Sequence, residues 1–185
     1  GCGLVSLGRW GPVVGGMFVN QLKNCWPYLR DFARGKPSDF DRSVEVLAER
    51  IVGAAKAGDA DEILLVGHSA GAMLALTTIG RALERDPDLG IRRPNVAVIT
   101  VGSITPLFAM HPAATRLRHT IKVIATEPSV QWADCQARED FMNFSGFDPG
   151  AGVGMEPGEP RGTPVRGTIP VASSLWGGLL RTIES

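Results

Sequence analysis

Residues 62–76 constrain the fold of this 185-residue chain more than any other segment. The segment opens with the run Ile-Leu-Leu-Val, which is typical of a buried strand. The pentapeptide Gly-His-Ser-Ala-Gly follows at 67–71, and an Ala- and Leu-rich run of helical character comes next. A strand that passes through a tight glycine turn directly into a helix favours an α/β protein with a parallel sheet. The alternative interpretation is an ordinary strand–turn–helix without chemistry.

The turn fits the pattern G-x-S-x-G, which lifts a serine to the head of a sheet. We expect Ser69 to take a strained backbone conformation. Gly67 and Gly71 are expected because larger side chains would collide with the turn and the neighbouring strand. The serine would lie at a helix N-terminus, where the Ala70 N–H can stabilise a developing oxyanion. His68 lies inside the turn, and its side chain is expected to point away from the end of the sheet where the serine hydroxyl lies.

Other segments complete the predicted sheet. Two nearly continuous apolar or alternating runs predict further strands, and helical periodicity precedes and separates them. The predicted helices are 42–56, 70–85 and a segment from residue 112, and the predicted strands after the first are 96–101 and 129–135. The fold class is therefore α/β, with a mostly parallel sheet between two helical layers in a three-layer α/β/α arrangement.

The chain divides by composition into three parts. Residues 1–40 are predicted to be helical or irregular, with Pro27 splitting or bending a helix. Residues 41–147 carry the α/β core, and the Gly- and Pro-rich residues 148–185 are predicted to be loop or poorly ordered. Within the first part, 4–19 is apolar but short and glycine-rich, so membrane association is kept only as an alternative.

Charge and cysteine content narrow the function classes. The formal net charge is zero, which gives no indication of a nucleic-acid partner. The three cysteines, Cys2, Cys25 and Cys135, have neither metal-ligand spacing nor a disulfide pattern. We therefore predict no metal and no cofactor, and a reducing compartment, the cytoplasm, as the location.

A nucleophilic serine needs a base and a third group that orients the base. In the chain order Ser–Asp–His, the acid follows a later strand, and Asp140 is the first candidate with Asp134 the second. No histidine follows residue 119. His111, at the start of a helix on the predicted active edge of the sheet, is the remaining candidate base, although the usual topology argues against it.

Several segments resemble bacterial lipase-like proteins of the α/β-hydrolase superfamily. The likeness spans roughly residues 40–150, and the segments that carry it are 60–72, 101–103, 110–114, 132–137 and 140–144. The resemblance implies that Ser69 is the nucleophile and Asp140 the acid. The first strands of such a sheet are not visible ahead of residue 40, and the histidine-bearing C-terminal loop is absent. The chain is therefore expected to be a piece of a longer protein.

Two functions follow from these observations. The first is a serine hydrolase that cleaves an ester through an acyl-enzyme on Ser69. Apolar residues near the active edge favour an apolar, lipid-like or acyl ester as the small-molecule substrate, although the same residues can equally fill the core: Phe108, Met110, Phe141 and Phe144. The second is a catalytically incomplete module of the same fold that binds a ligand or partner without turnover.

Overall fold

A computed structural model of the chain describes residues 23–92, 94–137, 144–150, 153–154 and 165–168. In chain order its elements are α1 (23–33), α2 (Asp39–Ala57), β1 (Glu62–His68), α3 (Ala70–Arg85), β2 (Asn95–Val101), α4 (Thr105–Ala109), α5 (Thr115–Thr126), β3 (Val130–Gln136) and β4 (Val165–Thr168). The predicted strands and the helices between them are thus present in the predicted order.

The strands form one parallel sheet, which confirms the α/β fold. β1, β2 and β3 lie side by side in chain order, and the four-residue β4 pairs with the far side of β3. Gly67 pairs in register with Thr100, and Thr100 pairs with Asp134. Because all strands run in the same direction, their carboxyl ends meet at one edge of the sheet. That edge collects Ser69 and the segments that follow β2 and β3.

The described helices form one layer against the sheet. α3 packs against α2 on one side and α5 on the other. Strand residues that face this layer are buried, among them Val98 and Trp132. On the opposite face of β1, Leu64 is 51% exposed and Val66 is 57% exposed. The second helical layer of the predicted three-layer arrangement is not among the elements that the structure describes.

The start of α2 shows how side chains fix a helix end. The Asp41 carboxylate accepts hydrogen bonds from the backbone N–H and the hydroxyl of Ser38, both at 2.8 Å. Arg116 of α5 donates to the same carboxylate at 2.5 Å, which joins the two helices. Burial alone would raise the pKa of Asp41, but the hydrogen bonds from Ser38 and Arg116 outweigh it and lower that pKa.

Some local predictions were wrong. Of the split or bent helix expected at Pro27, the split is wrong: α1 is helical on both sides of Pro27, because a proline removes only one helical hydrogen bond and Leu29 and Phe32 anchor the helix in the core. Neither α4 nor β4 was predicted. Both are short, and β4 is held by pairing with β3 rather than by its own Gly- and Pro-flanked sequence. The division at residues 40 and 147 stays a prediction.

No helix in the described part of the chain combines the length and the apolar character needed to cross a bilayer. The apolar stretch 4–19, which raised the alternative of membrane association, lies outside the described residues.

Candidate active site

Ser69 occupies the sharp turn between β1 and α3. Its backbone has φ 54° and ψ −119°, and only Phe144 shares a positive φ among the non-glycine residues described. This conformation is unfavourable for an L-residue with a side chain, so the surrounding structure must hold it. The Ser69 N–H donates to the Val101 carbonyl at 3.0 Å, and the Ser69 carbonyl accepts from Ala72 N–H at 3.2 Å. The serine is thereby fixed between the end of β2 and the first turn of α3.

The glycines on either side of the serine differ in what they do. A Cβ atom on Gly67 would lie 2.6 Å from the Gly71 carbonyl oxygen and 2.7 Å from the Ala72 Cα atom. The strand can therefore approach the helix this closely only with glycine at 67. A Cβ on Gly71 would meet nothing within 4 Å. The prediction that Gly71 avoids a collision was wrong, because residue 71 lies in the first turn of α3 and has open space beside it.

The N-terminus of α3 supplies donors for a negative charge beside Ser69. Ala70 is the first residue of this 16-residue helix, so its N–H has no carbonyl partner within the helix. The first turn carries no acidic side chain that would compete for the positive end of the helix dipole. An oxyanion formed on the Ser69 side of the turn would therefore be stabilised by the Ala70 N–H.

Asp134, the second candidate acid, is instead part of a buried network between β2 and β3. It is 2% exposed, and one carboxylate oxygen accepts the Thr100 hydroxyl at 2.5 Å. The other oxygen accepts the Gln136 side-chain amide at 2.7 Å. Thr100 in turn accepts the indole N–H of Trp132 at 3.0 Å. Both carboxylate oxygens are thus engaged by strand residues, and Asp134 links β2 to β3.

Asp140, the first candidate acid, lies outside the described residues. The residues on both sides of it are anchored at the carboxyl end of β3. Gln136 accepts the Gly146 N–H at 2.6 Å and donates to the Phe147 carbonyl at 2.8 Å. The segment that carries Asp140 therefore starts and finishes at the sheet edge where Ser69 lies.

The structure does not bring the candidate base to the serine. The Nε2 atom of His111 lies 3.0 Å from a guanidinium nitrogen of Arg34, and its Nδ1 atom lies 3.0 Å from the Ala113 N–H. Both ring nitrogens thus face α1 and the local turn. His68 is exposed on β1, and His119 lines a shallow cavity between α3 and α5.

Sequence inspection missed the polar residues that organise this edge, namely Thr100, Gln136 and Arg34. Thr100 was hidden in an apolar strand pattern, but a lone hydroxyl there is the kind of group that needs a buried partner.

Cys135, beside Asp134, is a poor rival nucleophile because burial and the nearby Asp134 charge both raise its thiol pKa. Within the described ranges no three His, Cys, Asp or Glu side chains are grouped as a metal site would require.

Comparison with known proteins adds no assignment to this geometry. No family model matches the chain, and no significantly similar curated protein or solved structure was found. The class defined by the structure is thus a small α/β domain with a parallel sheet and a strained serine at a strand-to-helix turn.

Proposed function

We propose that this domain is a serine hydrolase of the α/β-hydrolase type that cleaves an ester through an acyl-enzyme. The observation that carries the proposal is the backbone of Ser69, a non-glycine residue at φ 54° directly before a helix. Such strain persists where the structure around it over-determines it, and it is concentrated at functional sites. The collision that any side chain at Gly67 would cause supports the same interpretation, because the turn at the serine can be this tight only with glycine at 67.

The proposed chemistry has two halves. The Ser69 hydroxyl oxygen attacks the ester carbonyl carbon, and the carbonyl oxygen takes up the negative charge beside the Ala70 N–H. The carbon–oxygen bond to the alcohol then breaks, and the alcohol leaves with a proton. Water next attacks the acyl group on Ser69, releasing the carboxylic acid and restoring the hydroxyl. Asp140 is the proposed acid of the site.

A histidine that serves Ser69 is not supplied by the described residues, since His111 faces Arg34. Removal of triad members from known serine enzymes still leaves about 10³- to 10⁴-fold catalysis over water, from the oxyanion donors and binding. Slow modification of Ser69 is therefore the appropriate readout for this chain.

The acyl group of the proposed ester substrate is apolar. Phe108 is buried and fills the core, and Met110, which is 45% exposed, remains available at this edge.

The orientation of His111 favours a second candidate function. Because its two ring nitrogens lie beside Arg34 and the Ala113 N–H, His111 is not poised as a base for Ser69, and the domain would bind a ligand at this edge without turnover. The two proposals differ in whether Ser69 reacts.

Labelling with a fluorophosphonate separates them. The serine-hydrolase proposal predicts one phosphonyl adduct on the peptide that contains Ser69, no adduct in Ser69→Ala, and slower labelling in Asp140→Asn. Ser103→Ala is the matched control, because Ser103 lies after β2 at the same edge but is buried and donates to Thr105 at 2.8 Å. It should label like the wild type. A folded chain that gives no adduct would refute the catalytic proposal and leave the binding module.

A further inference from the structure

A second feature of the same sheet edge is a small cavity between α1 and the segment that contains α4. Its volume is about 100 Å³. Its walls are apolar on one side and cationic or polar on the other, formed by Trp26, Leu107, Phe108, Arg30, Arg34 and His111. The Trp26 and Phe108 rings are in contact, with their centroids 4.7 Å apart. Trp26 is 39% exposed, so the cavity is accessible from solvent.

Of the two arginines that line this cavity, only Arg30 has a carboxylate partner among the described residues. Arg30 pairs with Asp31 at 3.1 Å. Arg34 has no carboxylate partner within the described ranges, and its Nε atom is buried without a hydrogen-bond acceptor. Arg118, nearby, donates to backbone carbonyls of the turn rather than to an acid. A buried guanidinium N–H without an acceptor is costly, and an anionic acceptor would offset that cost most strongly.

The hydrogen bonds of the His111 ring also indicate a missing acceptor in this cavity. A neutral imidazole has one N–H and one acceptor nitrogen. The Nδ1 atom accepts the Ala113 N–H at 3.0 Å, so the ring proton belongs on Nε2. The Nε2–H then faces a guanidinium N–H of Arg34 only 3.0 Å away. Two donors face each other at 3.0 Å, and an acceptor that lies beside the pair could accept from both.

We propose that this cavity, formed by Trp26, Arg34, Phe108 and His111, binds a small organic carboxylate. One carboxylate oxygen accepts from Arg34 and the other from the His111 Nε2–H. The apolar group that bears the carboxylate lies against Trp26 and Phe108. Two donors match the two oxygens of a flat carboxylate, whereas the additional oxygens of a phosphate would meet the apolar wall. Binding here needs neither Ser69 nor turnover, and so it goes beyond the proposed hydrolase.

Calorimetric titration with benzoate tests the proposal. Benzamide is the neutral isostere, and inorganic phosphate tests charge without an apolar group. We expect millimolar benzoate to bind, with benzamide and phosphate at least about tenfold weaker. Arg34→Gln should weaken benzoate at least about tenfold, because a charge-assisted hydrogen bond is lost. Arg50→Gln, an exposed arginine on α2, is the matched control and should bind benzoate as the wild type does.

Nuclear magnetic resonance of the histidine rings supplies a second readout. Benzoate should move the His111 Nε2 resonance and leave His119 unchanged, in the wild type and equally in Ser69→Ala. The proposal is refuted if millimolar benzoate does not bind, if benzamide or phosphate binds as well, or if Arg34→Gln binds equally. Benzoate binding by a folded wild-type chain that the fluorophosphonate does not label would support the carboxylate site while the hydrolase proposal fails.

Discussion

The backbone strain at Ser69 predicts that replacing this serine stabilises the fold only when the replacement is glycine. A non-glycine residue at φ 54° and ψ −119° costs about 1–3 kcal/mol. Ser69→Gly releases that strain, because glycine occupies positive φ without a Cβ penalty. The greater freedom of glycine in the unfolded chain offsets about 0.5–1 kcal/mol of the gain. Ser69→Ala keeps both the Cβ atom and the strain.

Ser69→Gly should therefore be more stable than Ser69→Ala by about 0.5–2 kcal/mol. For a chain of this length the difference is a rise of about 1–8 °C in Tm. Urea unfolding of the two variants, followed by circular dichroism, measures the free energy of unfolding directly.

The same pair at Ser103, which is not among the positive-φ residues, is the control. There Ser103→Gly should be less stable than Ser103→Ala. If Ser69→Gly is no more stable than Ser69→Ala, the argument from backbone strain is refuted.

Other predictions test the residues around the serine. Gly67→Ala should lower the unfolding free energy by about 1–3 kcal/mol, because its Cβ would enter the contact with α3. Gly71→Ala should be neutral or stabilising by up to about 1 kcal/mol. Equal losses of stability for the two variants in thermal denaturation would contradict this reasoning. Asp134→Asn should lower the unfolding free energy by about 1–3 kcal/mol, because one buried hydrogen bond in its network loses its acceptor. Fluorophosphonate labelling of Ser69 should continue in this variant. Loss of labelling in a folded variant would make Asp134 part of the site. The lowered pKa of Asp41 stabilises the fold above the unfolded-state pKa near 4, and this contribution is lost as the pH falls through the folded pKa. In acid titrations of stability, Asp41→Asn should therefore flatten the profile below about pH 4, and an unchanged profile would refute its role.

The sheet was predictable because its signal is local. The centres of β1 and β2 are mainly apolar, and the glycine turn at 67–71 leads into a strongly periodic helix. α/β character and parallel pairing follow from that alternation of elements. β4 has only four residues and depends on β3 for its pairing, so nothing in its own sequence could reveal it.

The candidate site was predictable only at its centre. The spacing of glycine and serine identified the turn, and the close approach of strand and helix requires the glycine at 67 but not the one at 71. For Asp134, the sequence shows a carboxylate at a strand end but not the Thr100 hydroxyl that binds it from the neighbouring strand β2. His111 was considered for its place in the chain, whereas its role depends on Arg34, 77 residues away. Long-range partners of this kind are set by packing and leave no local pattern.

Acid-quench mass spectrometry shows whether Ser69 is a nucleophile. The folded chain is mixed with a p-nitrophenyl acyl ester, stopped in acid, digested and analysed by peptide mass. A nucleophilic Ser69 gives an acyl group on the peptide that contains it, formed as p-nitrophenol is released and absent from Ser69→Ala. If the Ser69 peptide of the folded chain stays unmodified, or if the acyl group is on another residue, Ser69 is not the nucleophile.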